Sequence, residues 1–161
     1  MVIHAPTRLL LPAALTREIE QHAGASYPHE CCGVLIGTGG AAMMIESVHQ
    51  VRNQRAGRCR DRYEVDPREI LRLDRYAEER GQEIIGFYHS HPDHPATPSH
   101  TDQAHAWPGY VYVIVSERTS GAVEIRAWVY DDTLKAFGEL PIECEETSRP
   151  IAWTVADSEV R

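Results

Sequence analysis

The stretch IIGFYHSHPDHPATPSHTD, residues 84–102, decides the fold because it predicts a strand, a loop and the start of a helix in succession. The segment Ile84–Ser90 is a short, mostly apolar run, which is typical of a strand. Three prolines then interrupt the chain. The spacing Ser99-x-x-Asp102 is typical of a helix start and predicts a helix over Ser99–Ala106. A strand that leads through a loop into a helix indicates an α/β protein.

Strands and helices also interleave along the rest of the chain. The helix over Asp66–Arg80 is the clearest, because Asp66 can cap it, Pro67 suits its first turn and Gly81 ends it. The other predicted elements are a helix over Thr16–Ala25, capped by Thr16, and strands over Cys31–Ile36, Ala42–Val51, Tyr110–Ser116, Val123–Tyr130 and Leu134–Ile142. This order predicts an α/β fold in which a mixed β-sheet is flanked by helices.

The composition excludes several classes of protein. Sixteen Lys and Arg residues against 24 Asp and Glu residues give the 161-residue chain a formal charge of −8, which argues against a nucleic-acid-binding protein. No apolar run approaches the roughly 20 residues of a membrane-spanning helix. The length predicts one domain, which we place at residues 1–142, followed by an acidic C-terminal tail at 143–161. The oligomeric state stays open.

The four cysteines indicate the compartment. They include no Cys-x-x-Cys pair, and the neighbours Cys31 and Cys32 are poorly placed to bridge each other. We therefore expect a cytoplasmic protein with mostly free thiols. A long-range disulfide such as Cys32 to Cys59 stays open. By strand alternation, one of the two neighbouring thiols points inward and is buried, and the other points outward.

Histidines cluster unevenly, with five of the nine between residues 89 and 105. His89 and His91 lie two positions apart at the end of a predicted strand, so their side chains face the same side. Imidazoles are favoured Zn²⁺ ligands, and a catalytic zinc takes three protein ligands and a water. Asp102 can supply the third. A His-x-His pair is also common on surfaces, and Ser99-x-x-Asp102 commonly caps helices without any metal, although capping and ligation are compatible.

Glu30 is the second chemically informative position. It opens the apolar segment CCGVLIG, residues 31–37, and glutamate is rarely buried without a partner. It is either a solvated strand end or a general base that takes a proton from water activated by a metal.

These residues together resemble the JAMM metalloprotease motif, also called MPN+ or JAB. The resemblance includes PHECCGVLIG at residues 28–37, RYEVDP at 62–67, GFYHSHP at 86–92 and the helix start at Ser99, and it covers roughly residues 14–142. It implies a single JAB/MPN-type domain with a cytidine deaminase-like α/β/α arrangement. It further implies that His89, His91 and Asp102 bind Zn²⁺, that Glu30 is the general base and acid, and that Ser99 stabilises the oxyanion.

The resemblance also implies a substrate class, namely amide bonds after the C-terminal glycine of ubiquitin-like proteins. The chain has no room for the large insertions of the eukaryotic deubiquitinases, so it resembles the compact prokaryotic branch, some of whose members act with ThiS- or MoaD-like sulfur carriers. A groove that adds an extended tail to a sheet edge would suit such a substrate.

Several alternatives remain at this stage. The sequence lacks the HExxH helix, the deaminase pattern and the cupin pattern, whereas RadC-type proteins share a similar His-x-His and Asp arrangement. The ECCGVLIG context favours the peptidase. A non-cleaving binder of ubiquitin-like tails and a small-molecule amidase on the same zinc site are the other two functions to weigh.

The remaining aromatic and histidine side chains near the motif have less defined roles. His94, His100 and His105 are expected to be solvated or packing residues rather than ligands, or to line a substrate groove. Trp107 and Tyr110 are expected to pack in the core, or to border that groove.

Overall fold

The computed structural model describes residues 5–54 and 64–144, which form three helices and eight strands. In chain order these are β1 (Arg8–Leu10), α1 (Ala13–Ser26), β2 (Cys32–Thr38), β3 (Ala42–Val51), α2 (Pro67–Glu78), β4 (Glu83–Pro92), α3 (His100–His105), β5 (Val111–Arg118), β6 (Gly121–Asp131), β7 (Ala136–Leu140) and β8 (Ile142–Glu143). The predicted alternation of strands and helices is confirmed.

The strands form one mixed sheet in the order β7-β6-β5-β4-β2-β3-β1-β8. Three neighbouring pairs are parallel, β4 with β5 and β1 with both β3 and β8. Only Pro141 separates β7 from β8, yet these strands stand at opposite ends of the order. The sheet therefore curls until its two ends meet, and β4, which carries the histidine pair, lies in its middle.

Each face of the sheet is covered by one long helix. Helix α1 contributes Ile19 and Ala23 to the larger apolar core, together with side chains of β1, β3 and β5. Helix α2 contributes Leu73 and Ala77 to a smaller core on the opposite face, against Val34 and Ile36 of β2 and other side chains. Because both faces are covered, the central strands β2, β4 and β5 are buried on both sides.

The ends of the helices test the predicted caps. At α2 the Asp66 side chain accepts a hydrogen bond from the Arg68 N–H, Pro67 is the first helical residue, and Gly81 has a φ of +67° after the helix, as predicted. The prediction that Thr16 caps the first helix is wrong. Helix α1 begins at Ala13, directly after Pro12. Thr16 therefore lies inside the first turn, where its hydroxyl donates to the Pro12 carbonyl.

The strand predictions differ from the structure in one divided strand, in shifted strand ends and in one strand that was missed. The predicted strand Leu134–Ile142 is divided at Pro141, which has no N–H to continue a ladder, into β7 on β6 and β8 on β1. The predicted strand starting at Tyr110 starts at Val111. The three-residue strand β1 was not predicted, because its length is too short for a periodic pattern and its pairing with β3 is long-range.

The prediction that one of the neighbouring thiols points outward is also wrong. Cys31 packs in the α1-side core and Cys32 in the α2-side core, so both are buried on opposite faces of the sheet. Cys31, Cys32 and Cys144 are free thiols, while Cys59, much of the irregular segment 52–62 and the tail beyond residue 144 lie outside the described residues. No helix in the described ranges has both the length and the apolar character needed to cross a bilayer.

Candidate metal centre

His89 and His91 lie near the end of β4, just before the chain leaves the sheet. Strand alternation places both on the α2 side, as predicted, and both are buried, with 1% and 6% of their surface exposed. Their Nε2 atoms are 3.0 Å apart. Two imidazole nitrogens that face each other in a buried site are arranged to share one ion or proton.

The loop after β4 brings Asp102 to this pair. Its carboxylate oxygens lie 3.2 Å from His89 Nε2 and 3.3 Å from His91 Nε2. At the same time Asp102 and Ser99 form a capping box at α3, in which the Ser99 N–H donates to Asp102 Oδ2 at 2.7 Å and the Asp102 N–H donates to Ser99 Oγ at 3.1 Å. The predicted compatibility of capping and proximity to the histidines is confirmed.

Three hydrogen bonds fasten the loop to the neighbouring strands. The Asp93 N–H donates to the Glu117 carbonyl in β5. The Ser116 hydroxyl donates to the His94 carbonyl, and the indole N–H of Trp128 in β6 donates to the Ala96 carbonyl. These contacts to β5 and β6 fix the path by which the loop returns Asp102 to the end of β4.

The spacing of the three ligand atoms fits one metal ion. His89, His91 and Asp102 each offer one atom within 4.8 Å of the others. The two Nε2 atoms are 3.0 Å apart, Asp102 Oδ1 lies 3.2 Å from His89 Nε2, and Asp102 Oδ2 lies 3.3 Å from His91 Nε2. Ligands at 2.0–2.1 Å from a tetrahedral ion lie about 3.3 Å from one another. Two nitrogens and one carboxylate oxygen in that triangle suit a divalent transition metal and leave a coordination position open.

Hydrogen bonds and burial set the protonation of His89 and Asp102 and the orientation of His91. The Nδ1–H of His91 donates to the Pro95 carbonyl at 2.8 Å, which directs Nε2 toward His89 and Asp102. Burial raises the pKa of the Asp102 carboxyl, but hydrogen bonds from both imidazoles outweigh it and hold that pKa well below the usual range. Burial lowers the pKa of His89. A deprotonated Asp102 and a neutral His89 are the ligand forms that a metal requires.

Glu30 lies beside this triangle and outside it. Its side chain is buried, with 7% of the residue exposed, which excludes the solvated strand end. It stands one residue before the Cys31–Cys32 dipeptide at the start of β2, and Cys32 pairs with His89 across the sheet. Burial lowers the pKa of His91, but hydrogen bonds to Asp102 and to the Pro95 carbonyl and the negative charges of Asp102 and Glu30 raise it by more. The pKa of His91 therefore lies above its usual value. Glu30 lies two residues before Cys32, the partner of His89 across the sheet, which places it near the histidine pair.

Other residues near the motif stand apart from the triangle. His94, His100 and His105 are exposed, as expected of residues that are not ligands. The expectation that Trp107 packs in the core is wrong, because 66% of it is exposed; it follows α3, and its ring contacts only the edge of Tyr110 among the described aromatic rings. Tyr110 is half-buried and also packs against Phe87.

Sequence reasoning missed two buried polar side chains next to Glu30. Ser90 stands between the two histidines, and its hydroxyl accepts a hydrogen bond from the Cys31 N–H. Asn53, just beyond β3, donates to the Glu30 carbonyl. The only sequence signal for either was a polar residue at the end of an apolar strand, and their partners are 59 and 23 residues away.

Comparisons with known proteins agree with this geometry. A family model described as prokaryotic homologs of the JAB domain matches residues 12–131. A desampylase from Haloferax volcanii is 39% identical over 144 residues, which are 86% of this chain and 98% of that protein. A CysO-cysteine peptidase from Mycobacterium tuberculosis is 31% identical over 121 residues, which are 74% of this chain and 81% of that protein.

The fold comparison gives the same result. A solution structure of a protein from Desulfitobacterium hafniense matches with a TM-score of 0.74 and 28% identity, over 86% of this chain and 93% of that one. The expected JAB-type domain, a mixed sheet with helices on its faces, is confirmed. The chain belongs to the prokaryotic branch of the JAB domain family, whose JAMM-type members are hydrolases of peptide and isopeptide bonds.

Proposed function

We propose that this chain is a zinc-dependent isopeptidase or peptidase that hydrolyses the amide bond after the C-terminal glycine of a ubiquitin-like or sulfur-carrier protein. The observation that carries the proposal is the buried triangle of His89, His91 and Asp102 with the buried Glu30 beside it. Two imidazoles and one carboxylate are a common ligand set of catalytic zinc, and Zn²⁺ bound there would supply Lewis-acid activation of water.

Glu30 is the proposed general base and acid. Its carboxylate takes a proton from the attacking water and delivers it to the nitrogen of the leaving amine, so that a neutral amine departs. Its position next to His91 and outside the ligand triangle supports this role, because a base must reach the water without occupying its place.

Ser99 is the proposed oxyanion donor. Its Oγ accepts a hydrogen bond from the Asp102 N–H, which leaves the hydroxyl proton available to donate elsewhere. Ser99 is exposed at the rim of the site, where a substrate carbonyl can approach it. A hydrogen bond from this hydroxyl would stabilise the negative oxygen that forms as water adds to the carbonyl.

The substrate class is supported by the relatives and by the size of the domain. The relatives include a desampylase and a CysO-cysteine peptidase. The match covers nearly all of the first relative, which leaves no room for a large insertion. We place the catalytic domain at residues 1–142 with an acidic tail at 143–161, and we propose a cytoplasmic location, which suits the free thiols.

The test uses a sulfur-carrier protein that ends in Gly-Gly and carries a cysteine in amide linkage to its last glycine. The zinc-loaded chain is expected to release cysteine, and a chelator should stop the release. Glu30→Gln should lower the rate by about 10²–10⁴-fold with one zinc still bound, because a general base contributes that much. Glu79→Gln, a change of the same kind at an exposed position of the α2 end, is the matched control.

Each failure has a distinct meaning. Full activity of Glu30→Gln would remove Glu30 from the mechanism. Binding of the carrier tail without cleavage by the zinc form would favour a non-cleaving binder. Release of the amino acid from a short conjugate as fast as from the carrier would favour a small-molecule amidase.

A further inference from the structure

We propose that Asn53 and Ser90 are positioning residues that hold Glu30 in place for the reaction by binding the two ends of a single peptide group. This inference rests on the proposed role of Glu30. Neither residue belongs to the ligand triangle, and neither touches the reacting atoms in the mechanism above.

The peptide group in question joins Glu30 to Cys31. Its carbonyl, which belongs to Glu30, accepts a hydrogen bond from Asn53 Nδ2 at 3.2 Å. Its N–H, which belongs to Cys31, donates to Ser90 Oγ at 2.9 Å. Both ends of one peptide therefore bind side chains rather than the backbone of a neighbouring strand.

Ser90 replaces a bond of the β-ladder. In a regular antiparallel pair, opposite residues exchange two backbone hydrogen bonds. Here the Ser90 N–H donates to the Cys31 carbonyl, but the Cys31 N–H donates to the serine side chain instead of the serine carbonyl. The β2 backbone consequently separates from β4 at the residue that follows Glu30, next to His91.

Asn53 connects this peptide to a second part of the chain. It is buried, with 7% exposed, and its Oδ1 accepts a hydrogen bond from the Glu64 N–H just before α2, while the Glu64 carbonyl accepts from the Gln54 N–H. One amide side chain thus joins the end of β3, the approach to α2 and the carbonyl of Glu30. A side-chain amide can donate to one backbone group through its nitrogen and accept from another through its oxygen.

This support matters because Glu30 lies outside any regular element. Strand β2 begins at Cys32, and the residues between α1 and Glu30 form turns. The peptide that follows Glu30 is bound at both ends by the Asn53 and Ser90 side chains, and the next carbonyl, that of Cys31, accepts from the Ser90 N–H. A displacement of about 1 Å of a catalytic group can lower a rate about 100-fold. The two side chains that bind the following peptide are therefore in a position to control where the carboxylate points.

The experiment compares Asn53→Asp and Ser90→Ala with the wild type on the carrier–cysteine conjugate. Asn53→Asp keeps the acceptor for the Glu64 N–H and removes the donor to the Glu30 carbonyl. Ser90→Ala removes the acceptor for the Cys31 N–H. For both we expect kcat to fall about 10- to 100-fold, with KM and bound zinc within about twofold of the wild type. Gln54→Glu and Ser47→Ala, matched changes elsewhere on or after β3, should leave kcat unchanged.

A double-mutant cycle separates positioning from general support of the fold. In the Glu30→Gln background, Asn53→Asp should cost less than about threefold, because the group it positions is gone. An equal loss in both backgrounds would overturn the inference. So would a wild-type kcat in both single variants, or a loss of kcat that follows the loss of zinc or of folded protein.

Structures of the zinc-loaded variants decide the question independently of activity. If the wild type cleaves the conjugate and Glu30→Gln does not, a Glu30 carboxylate that stays in its wild-type position in Asn53→Asp and Ser90→Ala overturns this inference alone. If the wild type cleaves nothing, the proposed function fails, and a displaced carboxylate in these variants still supports the structural part of the inference, whereas an unmoved one rejects it.

Discussion

Consecutive residues of β4 project to opposite faces of the sheet, and the two faces hold chemically different groups. On the α2 side, His89 and His91 meet Asp102 at 3.2 and 3.3 Å. On the α1 side, Tyr88 and Ser90 are fully buried. The metal-binding groups meet the loop that carries Asp102, whereas Tyr88 packs in the core on the side of α1.

The α1-side face is specialised for packing with a few buried polar groups. The Tyr88 hydroxyl and His22 Nδ1 share a hydrogen bond at 2.7 Å, and burial lowers the pKa of His22. Gly33 has no room for a Cβ, because the Tyr88 ring lies directly over it. Glu117 is fully buried, and its carboxylate makes no hydrogen bond of normal geometry within the described residues.

The contrast teaches that alternation along one strand places the metal-binding groups on one face and most of the packing groups on the other. Changes at His89 and His91 on the α2-side face should act on metal and rate, and changes at Tyr88 and Glu117 on the α1-side face should act on folding. Ser90 is the exception on the α1-side face, because its hydroxyl binds the peptide that follows Glu30. Three predictions test whether that separation holds.

Removing a ligand should have the largest effect. We expect His89→Ala to lose zinc at micromolar concentration and to lose more than about a thousandfold in hydrolysis, because two remaining ligands hold zinc poorly. Tyr88→Phe, one residue earlier on the other face, should keep zinc and rate and lose about 1 kcal/mol of unfolding free energy. Zinc content after dialysis measures metal binding in both variants, and urea unfolding measures their unfolding free energy. Retained zinc in His89→Ala would contradict the assignment of metal binding to the α2-side face of β4.

Removing the Ser99 hydroxyl should have an intermediate effect. Ser99→Ala is expected to lower kcat about 100-fold, on the order of 3 kcal/mol, and to change KM little. It also removes the α3 cap, which should lower the unfolding free energy by about 1 kcal/mol. Zinc should stay bound, because the backbone N–H of residue 99 still donates to Asp102. Ser99→Thr should restore most of both losses, and a fall in zinc content would show that the serine acts only through Asp102.

Neutralising Glu117 should have the smallest effect, and only on stability. Burial raises the pKa of Glu117 to about 7, against a smaller lowering by the Ser90 hydroxyl, while the unfolded carboxyl keeps its ordinary value near 4.5. The folded state then binds more protons between these values, so stability falls as the pH rises from 4.5 to 7.

Glu117→Gln cannot ionise and should lack this loss. At pH 8 we expect the variant to exceed the wild type by on the order of 1 kcal/mol, with little difference at pH 4. Urea unfolding at both pH values is the measurement, with Glu79→Gln as the exposed control. A gain that is the same at both pH values would mean that ionisation of Glu117 is not its cause.

The local parts of the site were predictable from sequence. Alternation placed His89 and His91 on one face, and the spacing Ser99-x-x-Asp102 predicted a capped helix start, because both depend on residues at most three positions apart. The contact of this pair with Asp102 depends on the path of the loop between them. Local pattern does not predict that path, so the contact was expected only from the resemblance to a known motif.

The long-range parts were not predictable. Asn53 binds the Glu30 carbonyl only because β3 ends where β2 begins, and no local pattern encodes that register. Trp107 was expected in the core, yet 66% of it is exposed. Strand β8 has only two residues, which is too short for a periodic signal.

The closure of the sheet at Pro141 has a consequence for aggregation. Open sheets expose unpaired N–H and C=O groups along their edge strands, and such edges can pair with other molecules. Residues 136–143 form both edge strands of this sheet, because β7 pairs with β6 and β8 pairs with β1. Release of this one short segment would expose the unpaired backbone groups of β6 and β1 at the same time, so its retention should limit pairing with other molecules.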